Sequence, residues 1–224
     1  MRIALIADLH GNWPATQAVA EDLKRRNIKD IICLGDVVGK GPESDKTCDW
    51  ARENCQLIIG GNWDVGVSHR HFPNDAFYWD QLGPERMDFL YHLPMEHEFA
   101  FGGLKFRIIH GRPVFPQLLF SHGEAEDFKP YLDGVDVFCY ADSHRPALRT
   151  LNGGYVINTG SVGNSLGVNR AHYLILEDHP GGVDFITVSL AYDNEEAARI
   201  ARNTPALPGR EAYIREVTTG VYSR

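Results

Sequence analysis

The sequence contains few cysteines, and the four that it has form no CxxC pair. Cys33 and Cys139 lie inside apolar runs typical of strands, so we interpret the cysteines as reduced, buried thiols that act as small hydrophobic side chains. No apolar run has the length that a membrane span needs. The apolar stretch that follows Arg2 ends at Asp8, which is too early for a secretory signal peptide. These absences predict a cytoplasmic protein without a membrane association.

The chain also lacks an excess of positive charge. It has 22 Lys and Arg residues against 30 Asp and Glu residues, for a net charge of −8. Such a chain does not bind long nucleic acids by bulk electrostatics, although it can still hold a local basic pocket. Repeats, low-complexity segments and Ser/Pro-rich linkers are missing as well. With 224 residues, of which 43% are hydrophobic, the sequence predicts a single globular domain over residues 1–224.

Short apolar runs alternate with helical stretches in the first part of the chain. Residues 3–7, 31–34 and 57–59 predict strands. Asn12 is a typical N-cap for a helix after the first strand, and residues 48–53 predict a second helix. This alternation is typical of a parallel sheet.

The second part of the chain has hairpin patterns instead. The pairs are residues 98–101 with 104–109, 147–151 with 155–158 across Asn152-Gly153, and 173–176 with 183–189, joined by a strand at 135–140 and a helix at 194–201. We therefore predict an α/β fold with two mixed β-sheets packed face to face and helices outside, a four-layer α/β/β/α sandwich. Residues 68–97 resist assignment; their aromatic side chains belong either to the core, which we favour, or to one side of a binding site.

Polar residues come directly after the predicted strands. In sheets of this kind the carboxyl ends of the strands form one rim, where ligands bind. Carboxylate, imidazole and amide groups at such a rim are a suitable donor set for two divalent ions. The residues are Asp8, His10, Asp36, Asn62, Asp64, His110, Asp142, His144, Asn158 and Ser161.

Six motifs, in order along almost the whole chain, resemble those of the calcineurin-like metallophosphoesterase superfamily. They are residues 8–12 for DxHGN, 35–42 for GDxVGxGP, 61–64 for GNxD, 110–113 for HGxP, 141–144 at the place of GHxH, and 158–163 for NPGSVG. The small prokaryotic phosphodiesterases and diadenosine-tetraphosphatase-like enzymes are the most similar group. A single motif of this kind can occur by chance. Six motifs in the same order, each at the end of a strand, are a specific signal of the superfamily.

The resemblance implies a metal-dependent phosphoesterase with two divalent ions. Manganese is the expected metal, with iron, zinc, nickel or magnesium as alternatives. A metal-bridging hydroxide would attack the phosphorus of a small phosphodiester or a (di)nucleoside polyphosphate, and Asp36, Asn62 and His110 are the catalytic candidates. The implied ligands are Asp8, His10, Asp36 and His144 for one ion, and Asp36, Asn62, His110 and Asp142 for the other, with Asp36 bridging.

Two positions depart from the family pattern. Asp142 replaces the first histidine of GHxH, and it either ligates with a preference for harder metals or points away and weakens the second site. Trp63 replaces a histidine that serves many relatives as general acid, so the leaving group would take its proton from water or from another group. Trp63 either stacks on a base or packs as an ordinary aromatic residue.

Other residues beside the motifs are candidates for weaker roles. Asp64 is expected to orient a metal ligand or His110. A non-catalytic scaffold is the alternative function, because the retromer subunit of this fold works in that way and Asp142 could mark the decay of a metal site. A homo-oligomer is expected because dimers are common among proteins in general. The candidates for substrate binding are Asn12, Lys40, Trp63, Arg112 and Arg145.

Overall fold

The computed structural model describes residues 1–151 and 153–223. The strands in this part of the chain are β1 (Arg2–Ile6), β2 (Asp30–Cys33), β3 (Leu57–Ile58), β4 (Glu96–Phe101), β5 (Leu104–Ile109), β6 (Val137–Tyr140), β7 (Ala147–Leu151), β8 (Gly154–Asn158), β9 (Ala171–His179) and β10 (Gly182–Leu190). The helices are α1 (Trp13–Arg25), α2 (Ser44–Asn54), α3 (Asn62–Ser68), α4 (Ala76–Tyr91), α5 (Ala125–Leu132), α6 (Asn194–Arg202) and α7 (Arg210–Thr219), with a short 3-10 helix at Pro73–Asp75.

The strands form two five-stranded sheets, and both sheets are mixed. The first has the order β10-β9-β1-β2-β3, in which β1, β2 and β3 are parallel and β9 is antiparallel to β1. The second has the order β4-β5-β6-β8-β7, with β5, β6 and β8 parallel and antiparallel strands at both edges. The parallel strands therefore run from the centre to one edge in the first sheet and lie inside the second, and their carboxyl ends point the same way within a sheet.

Alternating side chains assign the two faces of each sheet to different cores. In β1, Leu5 belongs to the core between the sheets, whereas Ile6 belongs to the core that α1, α6 and α7 cover. On the far side, Tyr140 of β6 packs against Phe128 of α5 in a third core. The prediction of a four-layer α/β/β/α sandwich is confirmed.

The strands of the first sheet end earlier than their apolar runs predict. Ala7, Leu34 and Ile59 are each the first residue after a strand, but all three still pack in the core between the sheets. The apolar pattern therefore continues past the strand into the turn that carries the functional residues. Cys33 and Cys139 are buried and free, in agreement with their interpretation as small hydrophobic residues.

The unassigned segment 68–97 contributes to the core, which is the role favoured for it, and also exposes one large aromatic residue. Tyr78 and Leu82 of α4 are buried in the first core, whereas Phe72 is 62% exposed. α4 is interrupted at Gly83, whose φ of 66° breaks the helical periodicity that the sequence would otherwise show. The predicted turn at Asn152-Gly153 depends on Asn152, which lies outside the described residues. No helix within 1–151 and 153–223 combines the length and apolarity needed to cross a membrane.

Asp22 links α1 to the first sheet. It accepts hydrogen bonds from Tyr173 Oη at 2.5 Å, Arg26 Nε at 2.8 Å and Arg25 Nη2 at 2.9 Å. Burial alone would raise the pKa of Asp22, but these hydrogen bonds outweigh it and lower the pKa. Because the folded state favours the ionised carboxylate, the stabilisation is present above about pH 4 and is lost as the pH falls through the lowered pKa.

Replacing Asp22 with asparagine is expected to lower the free energy of unfolding near neutral pH by about 1–3 kcal/mol, since Tyr173 and the arginines lose their charged acceptor. The difference from wild type should shrink as the pH falls below about 4. Urea denaturation at several pH values measures both effects, with the exposed Asp80→Asn as control. A stability difference that does not depend on pH would contradict the assigned charge.

Candidate metal centre

Left-handed turns place the metal-ligand candidates at the ends of neighbouring strands. Asp8, Asp36 and His144 have φ values of 55°, 53° and 58°, a conformation that costs non-glycine residues about 1–2 kcal/mol. Backbone hydrogen bonds join these turns: Asp8 N donates to Gly35 O, and Ala141 N donates to His110 O. The fold thus maintains strained backbone where these side chains converge.

Two groups of buried side chains could each hold a metal ion, and they share Asp8. The first group is Asp8, His10 and His144; Asp8 Oδ1 lies 3.6 Å from His10 Nε2 and 3.4 Å from His144 Nε2. The second group is Asp8, Asp36 and His110. Asp36 Oδ2 lies 3.5 Å from His10 Nε2 and 3.4 Å from His110 Nε2, so it stands between the two groups.

The three histidines present the same ring nitrogen to the centre. Their Nδ1 atoms face backbone carbonyls: His10 faces Val38 O at 3.2 Å, His110 faces Leu34 O at 2.6 Å, and His144 faces Asn164 O at 2.5 Å. Because a carbonyl only accepts, each Nδ1 carries the proton, and Nε2 of a neutral ring is left to ligate.

Several buried polar atoms at the centre have no hydrogen-bond partner in the described part of the chain. They are both carboxylate oxygens of Asp8, Asn62 Oδ1 and His110 Nε2. Unpartnered buried polar atoms are costly, and cation ligation would satisfy all four. The donor set, two carboxylates with an amide oxygen and three imidazoles, therefore fits a divalent cation centre.

The electrostatics of the centre also favour added positive charge. Burial and then the Asp36 charge raise the pKa of Asp8 well above its usual range. Burial opposes protonation of His110, but the Asp36 and Asp8 charges outweigh it and raise the pKa of His110 to about 10. A bound cation would replace these protons as the counter-charge.

Asp64 organises the backbone around Asp36. Its Oδ2 accepts from Asp36 N at 2.6 Å and from Gly61 N at 3.0 Å, and its Oδ1 accepts from Val37 N at 3.0 Å. Gly61 must be glycine because a Cβ there would collide with Asp36 Oδ1. Of the two targets expected for Asp64, the structure shows the ligand candidate Asp36, whereas His110 Nδ1 faces the backbone carbonyl of Leu34.

Comparison with known proteins gives the family. A model of the calcineurin-like phosphoesterase superfamily domain matches residues 1–179. The chain belongs to this superfamily. An uncharacterized protein of Methanocaldococcus jannaschii is 31% identical over 90% of this chain and 92% of its own. The phosphodiesterase YfcE of Escherichia coli K12 is 26% identical over 91% and 99%. A metallophosphoesterase structure from Sphaerobacter thermophilus superposes with a TM-score of 0.82 at 26% identity, covering 99% of both chains.

Membership of this superfamily supports phosphoesterase activity in general and the use of divalent metal ions. The part of the chain matched to the superfamily ends with β9, so β10, α6 and α7 lie beyond it. The predicted resemblance to the small prokaryotic phosphodiesterases is confirmed.

Asp142, at the superfamily's GHxH position, does not join either ligand group among the described residues. Its carboxylate instead accepts hydrogen bonds from Arg112, from Nε to Oδ2 at 2.9 Å and from Nη2 to Oδ1 at 2.7 Å. The expectation that Asp142 ligates the second ion stays a prediction, and in this arrangement its carboxylate is paired with Arg112. Asn62, by contrast, begins α3 and has its side-chain oxygen buried at the centre.

Asn12 is also placed differently from its predicted role in substrate binding. Its side chain is buried, where Oδ1 caps α1 by accepting from Ala15 N at 3.2 Å. Its Nδ2 donates to Gly163 O at 2.7 Å and Tyr192 Oη at 3.3 Å. Both polar atoms of Asn12 therefore have structural partners.

The other substrate-binding candidates line a cleft of about 850 Å³ above the centre. Lys40 is buried at its base, where Nζ donates to Asn164 Oδ1 at 3.0 Å and lies 3.3 Å from His144 Nε2. Trp63 lies edge-on to His10, with ring centroids 5.9 Å apart. Arg145 stacks over Phe120, with Cζ 5.5 Å from the ring centroid.

Sequence reasoning missed three residues around the cleft. Asn164 comes one residue after the last motif and contacts both Lys40 and His144, so proximity to a motif was its only signal. Phe120 and Tyr222 line the cleft from segments without a motif, whereas Phe72 belongs to segment 68–97, whose aromatic residues were considered for one side of a binding site. An isolated aromatic residue in a loop carries no signal of this role in a single sequence.

Proposed function

We propose that this protein is a dinuclear, divalent-metal-dependent phosphodiesterase that hydrolyses a small phosphodiester or a dinucleoside polyphosphate, with manganese as the metal. The observation that carries the proposal is the convergence of two buried ligand groups with unpartnered donor atoms at one rim of the sheets. The similarity to the phosphodiesterase YfcE supports the reaction class.

The side chains at the centre have different roles in the proposed reaction. Asp8, His10 and His144 would hold one ion and Asn62 and His110 the other, with Asp36 between them. Two divalent ions here would lower the pKa of a water molecule and stabilise negative charge on the phosphoryl oxygens. A hydroxide formed in this way would attack phosphorus in line with the leaving group, without a phosphoenzyme. Asp64 keeps the Asp36 backbone in place during the reaction.

Trp63 restricts the substrates that this site favours. It stands where many relatives have a histidine that serves as general acid. An indole N–H, by contrast, does not give up its proton to a leaving group. Phosphoanhydrides and aryl esters leave as weakly basic anions that need little protonation. Trp63 therefore favours nucleoside polyphosphates or aryl-like diesters over simple alkyl esters.

Aromatic side chains around the cleft support the same substrate class. Phe72 is 62% exposed and Tyr222 is 59% exposed, and both line the cleft together with Trp63 and Phe120. Large aromatic rings are rarely left exposed at a cleft without a ligand, and they stack on nucleobases and aryl groups. We assign these rings to the non-reacting part of the substrate.

The first experiment compares hydrolysis of bis-p-nitrophenyl phosphate and p-nitrophenyl phosphate by metal-stripped protein, with and without manganese. Manganese-dependent turnover, faster for the diester, is the expected result. Turnover that is insensitive to metal removal would overturn the proposal. Protein that binds no manganese and shows no turnover would favour the non-catalytic scaffold, for which the Arg112–Asp142 pair is the supporting observation.

Replacing Phe72 and Tyr222 with alanine is expected to raise KM for a dinucleoside polyphosphate by roughly tenfold for each ring that stacks on a base. The value of kcat should change less, because the rings contact the non-reacting part of the substrate. Steady-state kinetics measure both constants. Tyr91→Ala is the matched control, since Tyr91 is 53% exposed and does not line the cleft. An equal effect of the control would refute the stacking role.

A further inference from the structure

Arg112 and Asp142 form an ion pair at the wall of the cleft, beside the metal centre. Arg112 follows β5 and Asp142 follows β6, and these strands are parallel neighbours in the second sheet. Two guanidinium nitrogens and the backbone N of Arg112 donate to the Asp142 carboxylate, at 2.9, 2.7 and 3.0 Å. Both oxygens of Asp142 are therefore engaged by one residue.

The backbone is shaped to keep this pair together. Gly111 has φ 143°, and a Cβ there would lie 2.6 Å from the Cβ of Asp142. The turn after His110 thus wraps closely around Asp142, which only glycine permits. Metal ligation by Asp142 would compete with these hydrogen bonds for the lone pairs of its two oxygens.

The two members of the pair differ in their exposure. The Asp142 side chain is 3% exposed, whereas the Arg112 side chain is 43% exposed and lines the cleft together with Asp36 and Asn62. A planar guanidinium held by a buried carboxylate keeps further N–H donors in a fixed direction. Phosphoryl oxygens are the natural acceptors for such donors in a phosphoesterase cleft.

We propose that Asp142 is a positioning residue and not a metal ligand, and that it holds Arg112 to bind an anionic oxygen of the substrate phosphate. The proposal rests on the phosphoesterase function proposed above. It assigns the second ion to Asp36, Asn62 and His110 without a carboxylate from the GHxH position. The fixed positive charge of Arg112 stabilises the negative charge of the substrate phosphate. It thereby offsets the missing carboxylate ligand of the second ion.

The test measures manganese and inorganic phosphate binding by isothermal titration calorimetry, so it does not depend on turnover. The variants are Asp142→Asn, Arg112→Met and the double variant, which avoids an unpaired buried charge if a single variant folds poorly. Arg170→Met, an exposed arginine outside the cleft, is the control. Thermal melts verify that each variant is folded.

All three variants are expected to bind as many manganese ions as wild type. Phosphate binding to the manganese-loaded protein should weaken by roughly ten- to a hundredfold in each single variant, with little further loss in the double variant. The Asp142→His variant should bind the second ion more tightly and phosphate more weakly, because it supplies a ligand and releases Arg112.

Two results would overturn the inference while leaving the proposed function intact. Loss of one manganese ion in Asp142→Asn but not in Arg112→Met would show that Asp142 is a ligand. Unchanged phosphate binding in Arg112→Met would show that the guanidinium does not meet the substrate. Wild-type protein that binds neither manganese nor phosphate would overturn both the inference and the proposed function.

Discussion

Replacing Asp36 with asparagine is expected to reduce metal-dependent hydrolysis by at least about a hundredfold. Asp36 Oδ2 stands between His10 and His110, whereas Oδ1 accepts from Trp63 N at 2.8 Å. An asparagine keeps the shape and can still accept from Trp63, but it removes the charge shared by the two ligand groups. Manganese binding by calorimetry and hydrolysis of bis-p-nitrophenyl phosphate measure the loss.

The same variant should behave differently in a chelator. Burial raises the pKa values of Asp8 and Asp64 and the Asp36 charge raises them further, so Asp36 repels both carboxylates in metal-free protein. Asparagine at position 36 removes this repulsion but also removes the attraction to protonated His110, so the metal-free variant should differ little from wild type in stability, while the stabilisation that manganese gives to wild type disappears. Melting curves with manganese and with chelator separate the two effects.

Asp80→Asn is the control for this experiment, since Asp80 is an exposed carboxylate of α4 that does not line the cleft. Full activity of Asp36→Asn would mean that Asp36 does not serve the two groups together. A variant that unfolds with and without metal would instead assign Asp36 a purely structural role.

The sequence was sufficient to predict the layers of the fold and the rim of the sheets. The apolar runs predict the layers, because a strand that is buried on both faces needs continuous apolar residues. Asp8, Asp36 and His110 come soon after such runs and predict the rim, because ligands bind at the carboxyl ends of the strands. Strand ends were misplaced where Ala7 and Leu34 remain in the core after the ladder has ended. Local pattern cannot separate a buried turn residue from a buried strand residue.

The partner of Asp142 and the hydrogen bond from Asn12 to Gly163 could not be predicted in the same way, whereas the capping of α1 by Asn12 was predicted. Asp142 and Arg112 are 30 positions apart and meet only because β5 and β6 are adjacent. Whether a carboxylate faces a cation or a guanidinium is decided by this tertiary pairing and not by the motif. Asn12 has a motif position, but its capping and its bond to Gly163 take up both ends of its amide.

Asp64 illustrates how the centre depends on a residue that does not itself join either ligand group among the described residues. Four backbone N–H groups, from Asp36, Val37, Val38 and Gly61, donate to its carboxylate, and the side chain is fully buried. Burial and the Asp36 charge raise the pKa of Asp64 to about 7, opposed by these hydrogen bonds. The position of Asp36 therefore depends on the buried carboxylate of Asp64, whose ionisation is unfavourable in free energy.

Replacing Asp64 with asparagine is expected to weaken manganese binding by roughly 10- to 100-fold and to lower the free energy of unfolding by about 1–3 kcal/mol. An asparagine has one acceptor oxygen, and its amide N–H₂ would face a backbone donor of Asp36 or of Val37. The turn would then shift, and Asp36 would lose its register with His10 and His110. Calorimetric metal titration and urea denaturation measure the two losses.

The comparison of Asp64→Asn with Asp36→Asn separates positioning from ligation. Metal-free Asp64→Asn should be less stable than wild type, whereas metal-free Asp36→Asn should not. High manganese concentration should restore turnover in Asp64→Asn, because its ligands are all present, and should fail to restore it in Asp36→Asn. If manganese rescues neither variant, Asp64 contributes more than the placement of Asp36, and its carboxylate acts on the bound ions directly.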